Sequence, residues 1–171
     1  MRIVSRHPDL TVAEIRRMLE GMPTPSEYTV IVKPFRYRTS PHLSALTDFD
    51  SREIVLQVPE PFLPFGEVVP YGAMRRQGRG MRFIWLTEGV TFHTPRQVLR
   101  FLYCHEWMHW FLKERLGRKS SAETTCDRFA LHNYQRRTVT EDDAMAALKR
   151  NGGPARVSGR TAARGRTKRG R

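Results

Sequence analysis

Apolar residues crowd one long segment: Val98, Leu99, Phe101, Leu102, Tyr103, Trp107, Met108, Trp110, Phe111 and Leu112 would cover nearly every side of a single helix. Thr94 and Pro95 supply an N-cap and a proline at the first helical position, and Gly117 supplies a C-terminal stop. The pattern predicts a buried helix of about six turns between them. Earlier in the chain, Thr11-Val12-Ala13-Glu14 has the form of a capping box, and Val12, Ile15, Met18 and Leu19 share one helical face that ends at Gly21. Short β-branched or alternating runs predict strands at Tyr28 to Val32, Glu53 to Val58 and Arg82 to Thr87, with a fourth at Leu43 to Thr47. Beyond Gly117, residues Ala122 to Leu131 alternate at helical period. A last short helix, capped by Thr140 ahead of Glu141-Asp142-Asp143, is expected to turn Met145 and Leu148 inward. Strands followed by helices predict an α+β domain in which a small twisted sheet packs on the long helix.

The long helix also carries the chemistry. His105-Glu106-Trp107-Met108-His109 places two imidazoles four residues apart on one helical face, within reach of one cation. Glu106 stands beside them as a general base for a metal-activated water. Burying two histidines and a glutamate without partners is costly, which favours a metal over a purely structural role. A catalytic zinc needs a third protein ligand and an open fourth position. The next helix offers Glu123 and Asp127, one turn apart on a shared face. Either carboxylate closes the site, and the other then accepts a hydrogen bond from a ligand histidine and fixes its tautomer.

His105-Glu106-x-x-His109 followed by Glu123-x-x-Cys126-Asp127-x-Phe129-Ala130 resembles the ImmA/IrrE-type metallopeptidases, small zincin-like enzymes of the minimal-gluzincin group. In that family HExxH is followed by a helix reading Glu-x-x-Ala-Asn-x-Phe-Ala. The resemblance covers residues 94 to 131, about a fifth of the chain. It implies that His105, His109 and Glu123 bind Zn2+ and that Glu106 is the catalytic base, leaving Asp127 as the supporting acceptor or alternative ligand. Two features depart from the family: Cys126-Asp127 replaces Ala-Asn, and the interval from His109 to Glu123 is shorter than usual. The SprT-like proteases are similar in plan but use a third histidine, a part that would fall to His132. In zincins the strand before the active helix commonly receives the substrate backbone, which here points to Arg82 to Thr87.

Composition adds a frame to this reading. With 171 residues and 39% hydrophobic content the chain can bury one good core, so residues 1–150 are expected to form a single metallopeptidase domain. Two cysteines, Cys104 and Cys126, suit a reducing compartment, and Cys104 reads as a small buried hydrophobe. No apolar stretch is long enough to span a bilayer and Met1 to His7 has no hydrophobic signal region, so the expected location is cytoplasmic. Residues Pro59 to Gly80, rich in proline and glycine, read as a functional loop. Phe62, Leu63, Phe65, Val68, Val69 and Tyr71 would make its apolar wall, and Arg75, Arg76, Arg79 and Arg82 its basic rim.

The net charge is +13, and residues 151–171 contain seven arginines or lysines and no acid. Such a tail is expected to be disordered and to suit contact with a nucleic-acid backbone. The function that emerges is zinc-dependent hydrolysis of peptide bonds in a protein or peptide substrate, with His93, His132, Tyr103 and Tyr134 as candidates for stabilising the oxyanion. The alternative is a non-catalytic, zinc-stabilised module that binds nucleic acid or another protein. A structural zinc, closed by four protein ligands, would need Asp127, Cys104 or His132 as well.

Overall fold

The computed structural model describes residues 1–35, 43–62, 71–77, 80–86, 92–118 and 123–151, with 71–77 and 80–86 described by backbone alone. Strand β1 (Arg2–Ser5) leads into helix α1 (Val12–Met18) and back to β2 (Thr29–Pro34), which lies parallel to β1 with Ile3 opposite Val30. Strands β3 (Ser44–Asp48) and β4 (Glu53–Val58) are antiparallel neighbours, and β4 also runs parallel to β2. The resulting sheet has the order β1-β2-β4-β3, so β3 is an edge strand. β5 (Tyr71–Gln77) and β6 (Gly80–Leu86) pair, among the described residues, only with each other. Helix α2 (Pro95–Trp110) continues into a π-helical segment, Phe111–Arg115, and is followed by α3 (Glu123–Asn133) and α4 (Glu141–Asn151).

Local sequence explains most of these boundaries. Thr11 and Glu14 form the reciprocal capping box, with Glu14 N–H donating to Thr11 Oγ1 at 3.2 Å and Thr11 N–H donating to Glu14 Oε2 at 2.8 Å. The Thr94 hydroxyl caps α2 by accepting from Gln97 N–H, and Pro95 sits where no donor is needed. Gly117 takes φ +62°, which favours a residue without a Cβ.

One face of the sheet supplies Val30, Val32, Ile54, Leu56 and Val58 to the core, where they join Ile15 and Leu19 of α1 and the apolar surface of α2. Every residue of α2 from Val98 to Trp110 is buried, as expected for a helix apolar on all sides. Helix α3 is held to α2 by aromatic stacking: the Trp107 ring lies 5.1 Å from Phe111 and 5.7 Å from Phe129. Arg100, 2% exposed, ties α1 to the segment after α3. Its Nε donates to Tyr134 O, its Nη1 to Glu20 O, and its Nη2 to the carbonyls of Arg136 and Arg137.

Several expectations change. β1 was not expected; it is short, and Ile3 and Val4 make a strand only by pairing with β2. Tyr71–Gln77 falls inside the expected loop yet forms β5, because β6 gives it an antiparallel partner. Of Arg82 to Thr87, expected at the sheet edge along the active helix, the described residues 82–86 belong instead to the separate hairpin, Thr87 lies outside the described residues, and the edge strand against α2 is β3. Val12 is 38% exposed, and in α4 Leu148 packs partly buried against the core as expected, but Ala144 and Ala147 are the buried residues and Met145 is 40% exposed. Phe62 is buried in the core. The rest of the expected apolar wall and basic rim lies outside the described residues or among side chains not described, and residues 152–171 of the basic tail likewise lie outside them. Among the described residues no helix is long and apolar enough to cross a membrane.

Candidate metal centre

α2 places His105 and His109 one turn apart, and the stacking of Trp107 on Phe129 brings the start of α3 alongside them. Three donor atoms converge there. His105 Nε2 and His109 Nε2 are 3.0 Å apart, and Glu123 Oε2 lies 3.3 Å from the first and 3.5 Å from the second. A tetrahedral ion bound to nitrogen and oxygen at about 2.0–2.1 Å separates its ligands by about 3.3–3.4 Å. The triangle therefore has the size such an ion requires, and the three residues form a group able to hold a metal. Their side chains are 9%, 10% and 22% exposed, so the centre is enclosed but retains a path to solvent through Glu123.

The electrostatics also call for a cation. Burial pulls the His105 imidazole toward the neutral form, but the carboxylates of Asp127 and Glu123 outweigh it and raise its pKa to about 10. Burial likewise raises Glu123, and the two histidines overcome that and lower it to about 2. Both shifts express the same demand for positive charge between these atoms, which a proton or a divalent ion can meet.

Around the triangle, Asp127 Oδ1 lies 3.1 Å from His105 Nδ1, and the aspartate is 2% exposed. The structure thus places the two candidate carboxylates in different positions: Glu123 at the Nε2 edge shared by both histidines, Asp127 behind His105. Glu106 is 5% exposed and extends from the same helix as the histidines. The hydroxyl of Thr47 donates to its Oε2 at 2.8 Å and lies 2.9 Å from its backbone oxygen. Thr47 belongs to the edge strand β3 and is itself 7% exposed.

Sequence reasoning missed Thr47, since nothing about a threonine in a short strand marks it as the neighbour of a residue 59 positions later. Neighbours in a strand face opposite sides, and hydrophobicity would turn Leu46 rather than Thr47 inward, whereas the structure exposes Leu46 at 56% and buries Thr47.

Other candidates stand elsewhere. The Tyr103 hydroxyl donates to Pro23 O at 2.6 Å, and the Tyr134 hydroxyl accepts from Gln135 Nε2 while its ring packs on Phe92 and Phe101. His132 is exposed with Nδ1 against Arg128 O, and His93 is exposed beside Gln97. None of these joins the metal-capable group, and neither does either cysteine. The Cys104 thiol packs against Met22 Sδ at 3.6 Å, and burial pushes it up to about 12, in keeping with an inert core residue.

No protein-family model, curated protein or solved structure matches the chain.

Proposed function

We propose that the chain is a zinc-dependent endopeptidase that cleaves a specific protein or peptide substrate. The observation that carries this reading is the position of Glu106. It is a buried carboxylate next to His105 in the chain and electrostatically coupled to it, and the Thr47 hydroxyl donates to its Oε2. A structural centre has no use for such a group, whereas hydrolysis requires a base beside the water. The donor set of two imidazoles and one carboxylate suits zinc and leaves a fourth position open. The resemblance to minimal gluzincins and the mixed α+β fold agree with it.

When bound, zinc would supply Lewis-acid chemistry, acidifying a water molecule and polarising the scissile carbonyl. The protein's own residues then divide the work. His105 and His109 present neutral Nε2 atoms, and Asp127 accepts the Nδ1 proton of His105 to fix its tautomer. Glu123 supplies the negative ligand. Thr47 occupies Oε2 of Glu106 and leaves Oε1 to take a proton from the attacking water and pass it to the leaving nitrogen. The alternative, a closed structural zinc in an interaction module, requires a fourth protein ligand, and among the described residues the metal-capable group contains three.

The test compares wild type with Glu106→Gln in lysate of the native host, reading new protein termini by mass spectrometry. New termini produced by wild type and absent with Glu106→Gln are expected, since the amide keeps the size of the side chain but cannot take the proton. Identical termini in both samples, with zinc present in both proteins, would replace the peptidase by the interaction module.

A further inference from the structure

A cavity of about 860 Å³ opens where the C-terminal end of α1, the first turns of α2 and the segment after α3 meet, and it shares no lining residue with the metal centre. Four arginines line it, Arg96, Arg100, Arg136 and Arg137, against one acid, Glu20. Arg100 forms the buried floor, and its guanidinium is bonded to backbone carbonyls with no carboxylate at ion-pair distance among the described residues. Its positive charge is therefore solvated by dipoles and remains uncompensated by an anion. Arg136 is paired with Asp143 at 2.6 Å, while Arg96 and Arg137 are exposed and form no ion pair among the described residues. The cluster is held in place. Arg100 gathers the carbonyls of Arg136 and Arg137, and Gly21, at φ +81°, lies so close to Arg137 O that a Cβ there would collide with it.

Concentrating like charges in one rigid cleft is unfavourable unless an anion relieves it. The volume lies in the range of small-ligand sites, far above what a single inorganic ion fills. The lining also restricts what the anion can be. Its one aromatic, Tyr134, is 8% exposed and packed edge-on to Phe92 and Phe101, so no ring face is offered for a base to stack on. Arginine forks match phosphoryl oxygens, and a polar cleft of this size takes several.

We propose that this cleft binds the phosphate groups of a polyphosphorylated ligand, with Arg96 and Arg137 as the principal contacts. The phosphates belong either to a small phosphorylated molecule or to a nucleic-acid backbone, and both are recognised here through the same oxygens, independently of base identity.

The test titrates the full chain with sodium tripolyphosphate and, separately, with a short single-stranded oligonucleotide of mixed sequence. Arg96→Ala/Arg137→Ala is expected to weaken tripolyphosphate binding at least about tenfold, whereas Arg2→Ala/Arg118→Ala, an equal loss of exposed charge elsewhere, stays within about twofold. Arg96→Gln/Arg137→Gln repeats the measurement with side chains of greater length, and unfolding midpoints check that every variant is folded. Oligonucleotide binding that falls in the same variant and competes with tripolyphosphate assigns the phosphates to a nucleic-acid backbone; oligonucleotide binding untouched by both assigns them to a small ligand. Absence of saturable tripolyphosphate binding, or equal losses in both double variants, overturns the proposal.

Discussion

At the scale of single residues, the centre depends on distinct positions for four acidic or hydroxyl side chains, of which the sequence left Glu123 and Asp127 interchangeable. Glu123 faces both Nε2 atoms, Asp127 stands behind His105, and Thr47 holds Glu106. Thr47→Val removes the hydroxyl while keeping the shape, so it should leave metal content unchanged and lower cleavage by about 10–100-fold, with Thr47→Ser recovering most of the loss. Full activity in the valine variant, measured on a substrate identified from the new termini, would show that Glu106 needs no such support. A second residue reports on pH. Burial, with Glu114 nearby, pushes the Tyr28 hydroxyl from 10.0 up to about 12. Its folded pKa lies above its unfolded one, so the stability it contributes is present below about pH 10 and is lost as pH rises toward 12. Urea-unfolding stability of the wild type should therefore fall over that interval more steeply than that of Tyr28→Phe, and parallel declines would contradict the assignment.

Among elements, the sequence was most legible where one helix or strand decides its own fate. The all-round apolarity of residues 98–112 marks a buried helix, and Thr94-Pro95 and Thr11 to Glu14 mark starts that the caps reproduce. His105 and His109 could be singled out by their spacing on one helix, whereas the next helix offers Glu123 and Asp127 alike and only the family resemblance points to Glu123. What pairing decides was not legible. β1 and β5 are strands only through β2 and β6, and the role of β3 as the edge against α2 depends on sheet order. In α4 the small alanines turn inward and Met145 outward, because the close approach of α4 to α3 leaves room for a methyl group there. Arg100 also escaped notice, since an arginine on an apolar helix gives no hint that it will collect carbonyls from α1 and from beyond α3. Replacing it by methionine leaves those carbonyls buried without their donor and should destabilise the fold by about 3 kcal/mol or more, seen as a lowered urea midpoint. A change below about 0.5 kcal/mol would mean that water replaces the guanidinium at little cost.

At the scale of the whole molecule, the +13 charge and the metal-capable centre describe two separable capacities. The centre, built by β3, α2 and α3, is nearly closed and carries paired histidines and carboxylates. The arginine cleft lies at the other end of the same helix, where α2 begins, and shares no residue with the centre. Helix α2 thus joins the metal-capable centre to the arginine-lined cleft through one buried core. The account nevertheless stands first on the metal. Elemental analysis of purified protein should find one zinc per chain in the wild type and in Glu106→Gln, and none in His105→Ala, His109→Ala or Glu123→Ala. A folded wild type that remains metal-free after exposure to zinc, or a stoichiometric metal persisting in His109→Ala, would contradict it.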